Sequence, residues 1–285
     1  MRGVFDPVPE TQALELLRAF FQSPIRFLDT AAAYGDGESE RRIGLALREL
    51  GGMPEGYVLA TKADRDLASG DFSGEQTRRS IERSLRLLGV EHLPIVHLHD
   101  PEYASTSFAE IVGPGGAVEV LHDYKRQGVI GAIGIAAGPI DMLIRYVETD
   151  AFDAVLSHNR YTLVDRSASP LFDLAARKGM AVLNAAPYGS GMLAKGPDQW
   201  QKYMYRQASP ELVERVRQMD RACREYNVPL AAAALQFSLR DPRVTATIVG
   251  MARAERLTHT IELARHPIPG ELWDALEAIA GAGRP

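Results

Sequence analysis

Four residues among the first hundred could together exchange a proton with a substrate. Asp29 ends the apolar run RFLDT, Tyr34 follows five residues later in AAAYG, Lys62 ends YVLATK, and His99 ends PIVHLH. A free phenol has a pKa of about 10, too high for efficient proton exchange near neutrality. An adjacent ammonium stabilises phenolate and lowers that pKa, and a carboxylate keeps the ammonium charged and oriented. In this reading Tyr34 is the acid or base, Lys62 tunes it, Asp29 pairs with Lys62, and His99 orients the substrate oxygen. Such a group protonates an alkoxide or deprotonates an alcohol, which suits hydride transfer to or from a cofactor.

Each residue also has a plainer explanation. An Asp at a strand end commonly shapes a turn, and a loop Tyr commonly packs half-buried. Lys62 is the hardest to explain that way, because a lysine continuing an inward-facing strand needs a partner to offset desolvation. His97 and His99 lie two apart and share a strand face. That spacing also suits a metal, with His158 or Asp100 as further ligands of a barrel hydrolase. Against it, His97 reads as a packed core histidine with a satisfied hydrogen bond.

The elements that must position these groups alternate between two types. Short β-rich runs (RFLDT, YVLATK, PIVHLHD, IGAIGIAA, AFDAVLSHN, AVLNAAP, TATIVG) are separated by stretches with helical periodicity. Strands alternating with helices pair in parallel through right-handed crossovers. Ser73 three residues before Gln76 predicts a helix start, Gly89 and Gly128 predict helix ends, and Pro139, Pro170 and Pro210 stand near helix starts. No Gly/Ser/Pro-rich linker interrupts the pattern, which predicts one barrel domain over 1–285. In parallel α/β folds reactive groups collect at the carboxyl ends of strands, where all four candidates lie. Seven strands are counted where a closed (β/α)8 TIM-type barrel has eight, and the first helix, TQALELLRAFFQ, has no strand before it. A doubly wound sheet fits less well, because no GxGxxG follows an early strand.

The 285 residues are 46% hydrophobic and 24% charged, an ordinary globular composition. A net charge of -5 argues against nucleic acid as a partner. With Cys223 the single cysteine, neither an internal disulfide nor a thiolate zinc cluster can form, which fits a reducing cytoplasm. No stretch reads as a membrane span or secretory signal. Oligomeric state is left open.

The strings FLDTAAAYG, GESERRIGLALREL, ATK and IVHLHDPE resemble the aldo-keto reductase superfamily over essentially the whole chain. The resemblance implies a (β/α)8 barrel, NAD or NADP as cofactor, and Asp29, Tyr34, Lys62 and His99 as the catalytic set. HDPE and NAAPYGSGML look like the branch that oxidises sugars or pyridoxal, so a small sugar or aldehyde is the implied substrate. For the cofactor it implies Gly189, Ser190 and Gly191 at the pyrophosphate, and Gly250, Met251, Arg253 and Arg256 at the adenosine end. Ser157 or His158 stands where many members have a glutamine, and Asn184 where many have a tyrosine stacked on nicotinamide. Ala136 and Ala137 replace a usual Ser-Asn pair that holds the carboxamide. The basic residues that grip a 2'-phosphate are partly present, which inclines the reading slightly to NAD. VFDPVPE reads as the loop after a first strand that the sequence lacks, with Met1 an internal methionine. Two further readings stay open: a non-catalytic cofactor-binding relative, and the metal-dependent hydrolase using His97 and His99.

Overall fold

The computed structural model describes residues 8–281. Met1 and residues 4–7 of the VFDPVPE loop lie outside the described residues. Seven parallel strands, β1 (Phe27–Asp29), β2 (Val58–Asp64), β3 (Leu93–His99), β4 (Ile130–Ala137), β5 (Ala154–His158), β6 (Ala181–Ala185) and β9 (Ala246–Ile248), pair in sequence order and curl into a nearly closed barrel. All seven are the runs expected from the sequence. β7 (Lys202–Tyr203) and β8 (Arg206–Gln207) form a separate antiparallel hairpin within WQKYMYRQ. Met204 and Tyr205 make its turn with φ of 49° and 64°, the double positive φ that matches strand twist in a two-residue hairpin.

Apart from the first, which precedes β1, the helices follow the strands. They are α1 (Glu10–Gln22), α2 (Glu38–Leu50), α3 (Gly74–Leu88), α4 (Phe108–Val112), α5 (Ala117–Arg126), α6 (Ile140–Val147), α7 (Ser169–Arg177), α8 (Met192–Lys195), α9 (Pro210–Glu225), α10 (Leu230–Leu239), α11 (Ala254–Arg265) and α12 (Gly270–Gly281). Ser73 caps α3 by accepting the Gln76 amide hydrogen, and Gly89 ends that helix in the left-handed region. No helix among the described residues is long and apolar enough to cross a membrane.

Strand register sorts side chains onto two faces, because successive residues point oppositely. Asp29 lies opposite Ala60 on β2, Lys62 opposite His97 on β3, and Asp64 opposite His99. These residues therefore share the inner face. A small inner cluster of Ala136, Leu156 and Leu183, with Phe27, Ala185, Ala246 and Ile248 against it, fills the rest of the lumen. The opposite face, including Val96, Leu98, Val155 and Val182, packs under the helices in the larger core. β1 and β9 have a strand on one side only among the described residues. Near that seam α1 packs on α11, and the Gln12 side chain donates to the Ala252 carbonyl at 2.7 Å.

His97 needs a gap in β4 to fit inside the barrel. It lies opposite Gly134, and a Cβ built there would sit 2.0 Å from His97 Nδ1. Gly134→Ala is expected to destabilise the fold by about 1–3 kcal/mol through overpacking. Urea unfolding should show the cost largely relieved in the Gly134→Ala/His97→Ala double variant, since the colliding ring is gone.

Candidate active site

The inner-face residues at the carboxyl ends of β1, β2 and β3 converge on one cluster. Lys62 is 2% exposed, and its ammonium donates to Asp29 Oδ2 at 2.6 Å and to the Thr30 carbonyl at 2.7 Å. Burial alone would discharge Lys62, but Asp29 and the Tyr34 phenol hold its pKa above the usual value. Lys62 Nζ also lies 5.0 Å from the Tyr34 ring centroid.

Tyr34 is carried on the turn between β1 and α2. Its ring opens to the barrel mouth with 44% of the residue's surface accessible, although protein packs around the phenol. That packing raises the pKa above the ordinary phenol value, while Lys62 pulls it down by charge and hydrogen bonding. The direction differs from the sequence expectation: desolvation outweighs the ammonium. The turn is clamped from two sides. Asp64 Oδ2 accepts the Ala33 amide hydrogen at 2.7 Å, and Arg83 on α3 donates to the Asp36 carbonyl and carboxylate. Gly37 has φ of 86°, and a Cβ there would meet Leu87 at 2.7 Å and Arg83 at 2.8 Å, so glycine lets α3 close on this turn. Underneath, buried Glu40 on α2 accepts from the Thr61 hydroxyl at 2.5 Å and Thr30 pairs with Ser39 at 2.8 Å, fastening α2 to β1 and β2.

His99 lies edge-on to Tyr34, with ring centroids 6.0 Å apart at 81°. Its Nδ1 meets Asp64 Oδ1 at 2.6 Å, and its Nε2 is 3.6 Å from Asp100 Oδ1. His97 sits one pair deeper and is fully buried, as expected. Neither ring nitrogen has a hydrogen-bond partner, contrary to the expected satisfied core histidine. Burial, reinforced by the charge of Lys62, pushes its pKa well below the ordinary value and keeps it neutral.

The metal reading placed His97 and His99 together as ligands. Among the described residues, the group close enough to share a cation is instead Asp100, Glu102 and His158, whose ligand atoms lie within 4.8 Å of one another. Neither His97 nor His99 belongs to it, because His97 is stacked below the mouth and His99 is turned to Asp64.

Two expected cofactor contacts lie on the wrong face. Ser157 and Asn184 face each other across β5 and β6 on the helix side of the sheet and are fully buried. Asn184 donates to the Tyr161 carbonyl at 2.9 Å and to Ser238 on α10 at 2.8 Å, and Ser238 pairs with Thr247 at 2.7 Å. Asn184 thus fastens α10 to β6 and β9. His158 is the member of its pair on the inner face; burial lowers its pKa.

The sequence matches the aldo/keto reductase family over residues 2–280. The chain belongs to the aldo/keto reductase family. It is 31% identical over 300 residues to D-threo-aldose 1-dehydrogenase of Pseudomonas sp, covering 96% of this chain and 89% of that protein. It is 31% identical over 285 residues to L-galactose dehydrogenase of Arabidopsis thaliana, covering 97% and 86%. The holo form of an aldo-keto reductase from Bacillus halodurans shares the fold, with a TM-score of 0.79 at 21% identity over 96% of this chain and 88% of that one. This aldo-keto reductase is an oxidoreductase, and enzymes of its family use NAD(P)H.

The residues around the mouth of this aldo-keto reductase fit a dinucleotide. Arg253 and Arg256 are exposed at the start of α11 and form no ion pair among the described residues, and space beside Gly250 is open. Two guanidiniums without a carboxylate partner at a helix N-terminus are a donor set for phosphate. Met251, between them and β9, is half-buried. The Gly189–Gly191 turn after β6 has φ of 54°, 58° and 104° in succession. A packing reason accounts for Gly189, since a Cβ there would lie 2.2 Å from the Tyr203 ring. The β7–β8 hairpin braces this turn through the Tyr205 amide, which donates to Ser190 Oγ at 3.2 Å; Trp200 Nε1, just before the hairpin, donates to the Ser190 carbonyl at 3.0 Å, and Ser190 Oγ contacts Asn159 Oδ1 at 3.2 Å.

Removing one member of the buried ion pair leaves the other charge unpaired. Lys62→Met is expected to destabilise the fold by about 3–5 kcal/mol, and adding Asp29→Leu should recover much of it, as read by urea unfolding.

Proposed function

We propose that this aldo-keto reductase oxidises a hydroxyl of a small sugar or related alcohol, with Tyr34 exchanging the proton. The observation that carries the reading is the Asp29–Lys62–Tyr34 cluster opening on the barrel mouth beside His99. The resemblance of the chain to D-threo-aldose 1-dehydrogenase and L-galactose dehydrogenase supports a sugar, oxidised at its anomeric carbon to a lactone. Similarity to pyridoxal 4-dehydrogenase of Microbacterium luteolum, 29% identical over 311 residues, keeps a related alcohol within the substrate class.

When bound, the nicotinamide supplies the acceptor for the substrate hydride. The chain's own residues manage the proton and the oxygen. Tyr34 takes the hydroxyl proton in oxidation and returns it in reduction, and Lys62 stabilises the phenolate that forms when Tyr34 has given up its proton. Asp29 keeps that ammonium charged and in place. His99 orients the reacting oxygen. Gly189, Ser190 and Gly191 would lie along the pyrophosphate, with Gly250, Met251, Arg253 and Arg256 at the adenosine end and His158 near the nicotinamide. NAD is the preferred dinucleotide, because the basic residues at the adenosine end match only part of the set that grips a 2'-phosphate.

The test pairs turnover with binding. Tyr34→Phe should lower kcat by about 100-fold or more while NADH, followed by its fluorescence, binds within about twofold of the parent. Substantial turnover by Tyr34→Phe would remove Tyr34 as the proton carrier, and NADPH binding more than about tenfold tighter than NADH would reverse the cofactor preference.

The pKa direction fixes the pH behaviour. Burial holds Tyr34 protonated beyond the ordinary phenol range, so its acid form persists through neutrality and its base form grows only at alkaline pH. Oxidation should therefore accelerate as pH rises from neutral, while reduction stays level and falls only in alkaline solution. Profiles of kcat/KM in both directions check this; a loss of reduction on passing from pH about 6 to about 8 would contradict it.

A further inference from the structure

Asp64 is one of the most engaged carboxylates at the mouth, and the roles assigned above leave it unused. It is 4% exposed and sits on the inner face of β2, directly opposite His99 in the strand register. Its two oxygens do different things. Oδ1 lies 2.6 Å from His99 Nδ1, and Oδ2 accepts the Ala33 amide hydrogen at 2.7 Å, next to Tyr34. One side chain thus connects the imidazole to the turn that carries the phenol.

We propose that Asp64 is a positioning residue that fixes the protonation pattern of His99 and its distance from Tyr34. This rests on the reading of Tyr34 and His99 given above. An ionised carboxylate accepts hydrogen bonds and cannot donate them, so at 2.6 Å it selects the form of His99 with a proton on Nδ1. Nε2, at the open end of β3, is then the nitrogen left for the substrate. In neutral His99 that nitrogen accepts a hydrogen bond from a substrate hydroxyl beside the reacting one, whose own proton goes to Tyr34. In the imidazolium it donates to a carbonyl oxygen, with Asp64 as the counter-charge. The pair therefore serves the alcohol and the carbonyl with one ring orientation. The groups facing His99 are Asp64 from β2, Asp100 and Glu102 beyond β3, His158 from β5, and Tyr34; Lys62 lies deeper.

The geometry allows the two roles of Asp64 to be separated. In Asp64→Asn the amide oxygen can still accept from Ala33, while the amide nitrogen turned to His99 favours a bare Nδ1 and a proton on Nε2. The full-length protein labelled with 15N-histidine, with His99 assigned by signal loss in His99→Gln, reads the pattern directly. The expected result is a protonated Nδ1 in the parent and a proton shifted to Nε2 in Asp64→Asn. A parent His99 with bare Nδ1 overturns the proposal without any variant or substrate, so it stands or falls apart from the proposed oxidation. In turnover, Asp64→Asn should lose about 100-fold in kcat with KM and NADH affinity within about twofold, and its pH profile should shift relative to the parent. A kcat within twofold of the parent and an unmoved profile would also overturn it. Failure of the parent to turn over any sugar or alcohol would sink the functional reading while leaving the NMR result to decide the role of Asp64.

Discussion

An ammonium 2% exposed inside a barrel is the constraint around which the mouth is arranged. A lone buried charge of this kind costs several kcal/mol, and it persists only where a partner and hydrogen bonds answer it. Lys62 finds the Asp29 carboxylate on the neighbouring strand and the Thr30 carbonyl beyond it. Both lie within reach because β1 and β2 pair in parallel with Asp29 opposite Ala60, two residues short of Lys62. The same ammonium then acts on the Tyr34 phenol and helps keep His97 neutral. Removing it would strip Asp29 of its ion-pair partner and Tyr34 of the charge that pulls its pKa down.

The polar cluster fits because the surrounding elements are shaped to it. Gly134 makes room for His97, Gly37 lets α3 close on the Tyr34 turn, and Gly189 admits the Tyr203 ring beneath the turn after β6. On the outer face, Asn184, Ser238 and Thr247 hold α10 to the sheet. Glu40 and Thr61 do the same for α2. The mouth is therefore built on strand ends and braced turns, which suits a site that must hold a proton-exchanging group within tenths of an ångström.

Much of this is legible in the sequence because its periodicities are local. The short apolar, β-rich runs mark all seven barrel strands, and Ser73 with Gln76 and Gly89 marks both ends of α3. Asp29, Tyr34, Lys62 and His99 stood out because each is a polar group ending an apolar run or following one. Asp64 carries the same kind of signal, a carboxylate two residues beyond Lys62 on the same strand face, but it lies past the apolar run YVLATK that marks the strand in the sequence. The positions of Ser157 and Asn184 in their strings point to the cofactor, but position alone does not fix the inward or outward phase of a strand end when its neighbours are polar or small.

The sequence by itself determined the alternation of strands and helices, the family, and the four residue types that could exchange a proton, since these depend on spacing along the chain. The tertiary structure decided which of those groups touch. Register placed Lys62 beside Asp29 and Asp64 beside His99, and it turned Ser157 and Asn184 away from the lumen. It also set the balance at Tyr34, where packing raises the phenol pKa more than the ammonium lowers it. Burial and contact across strands depend on residues far apart in the chain, and one residue of register exchanges the two faces of a strand.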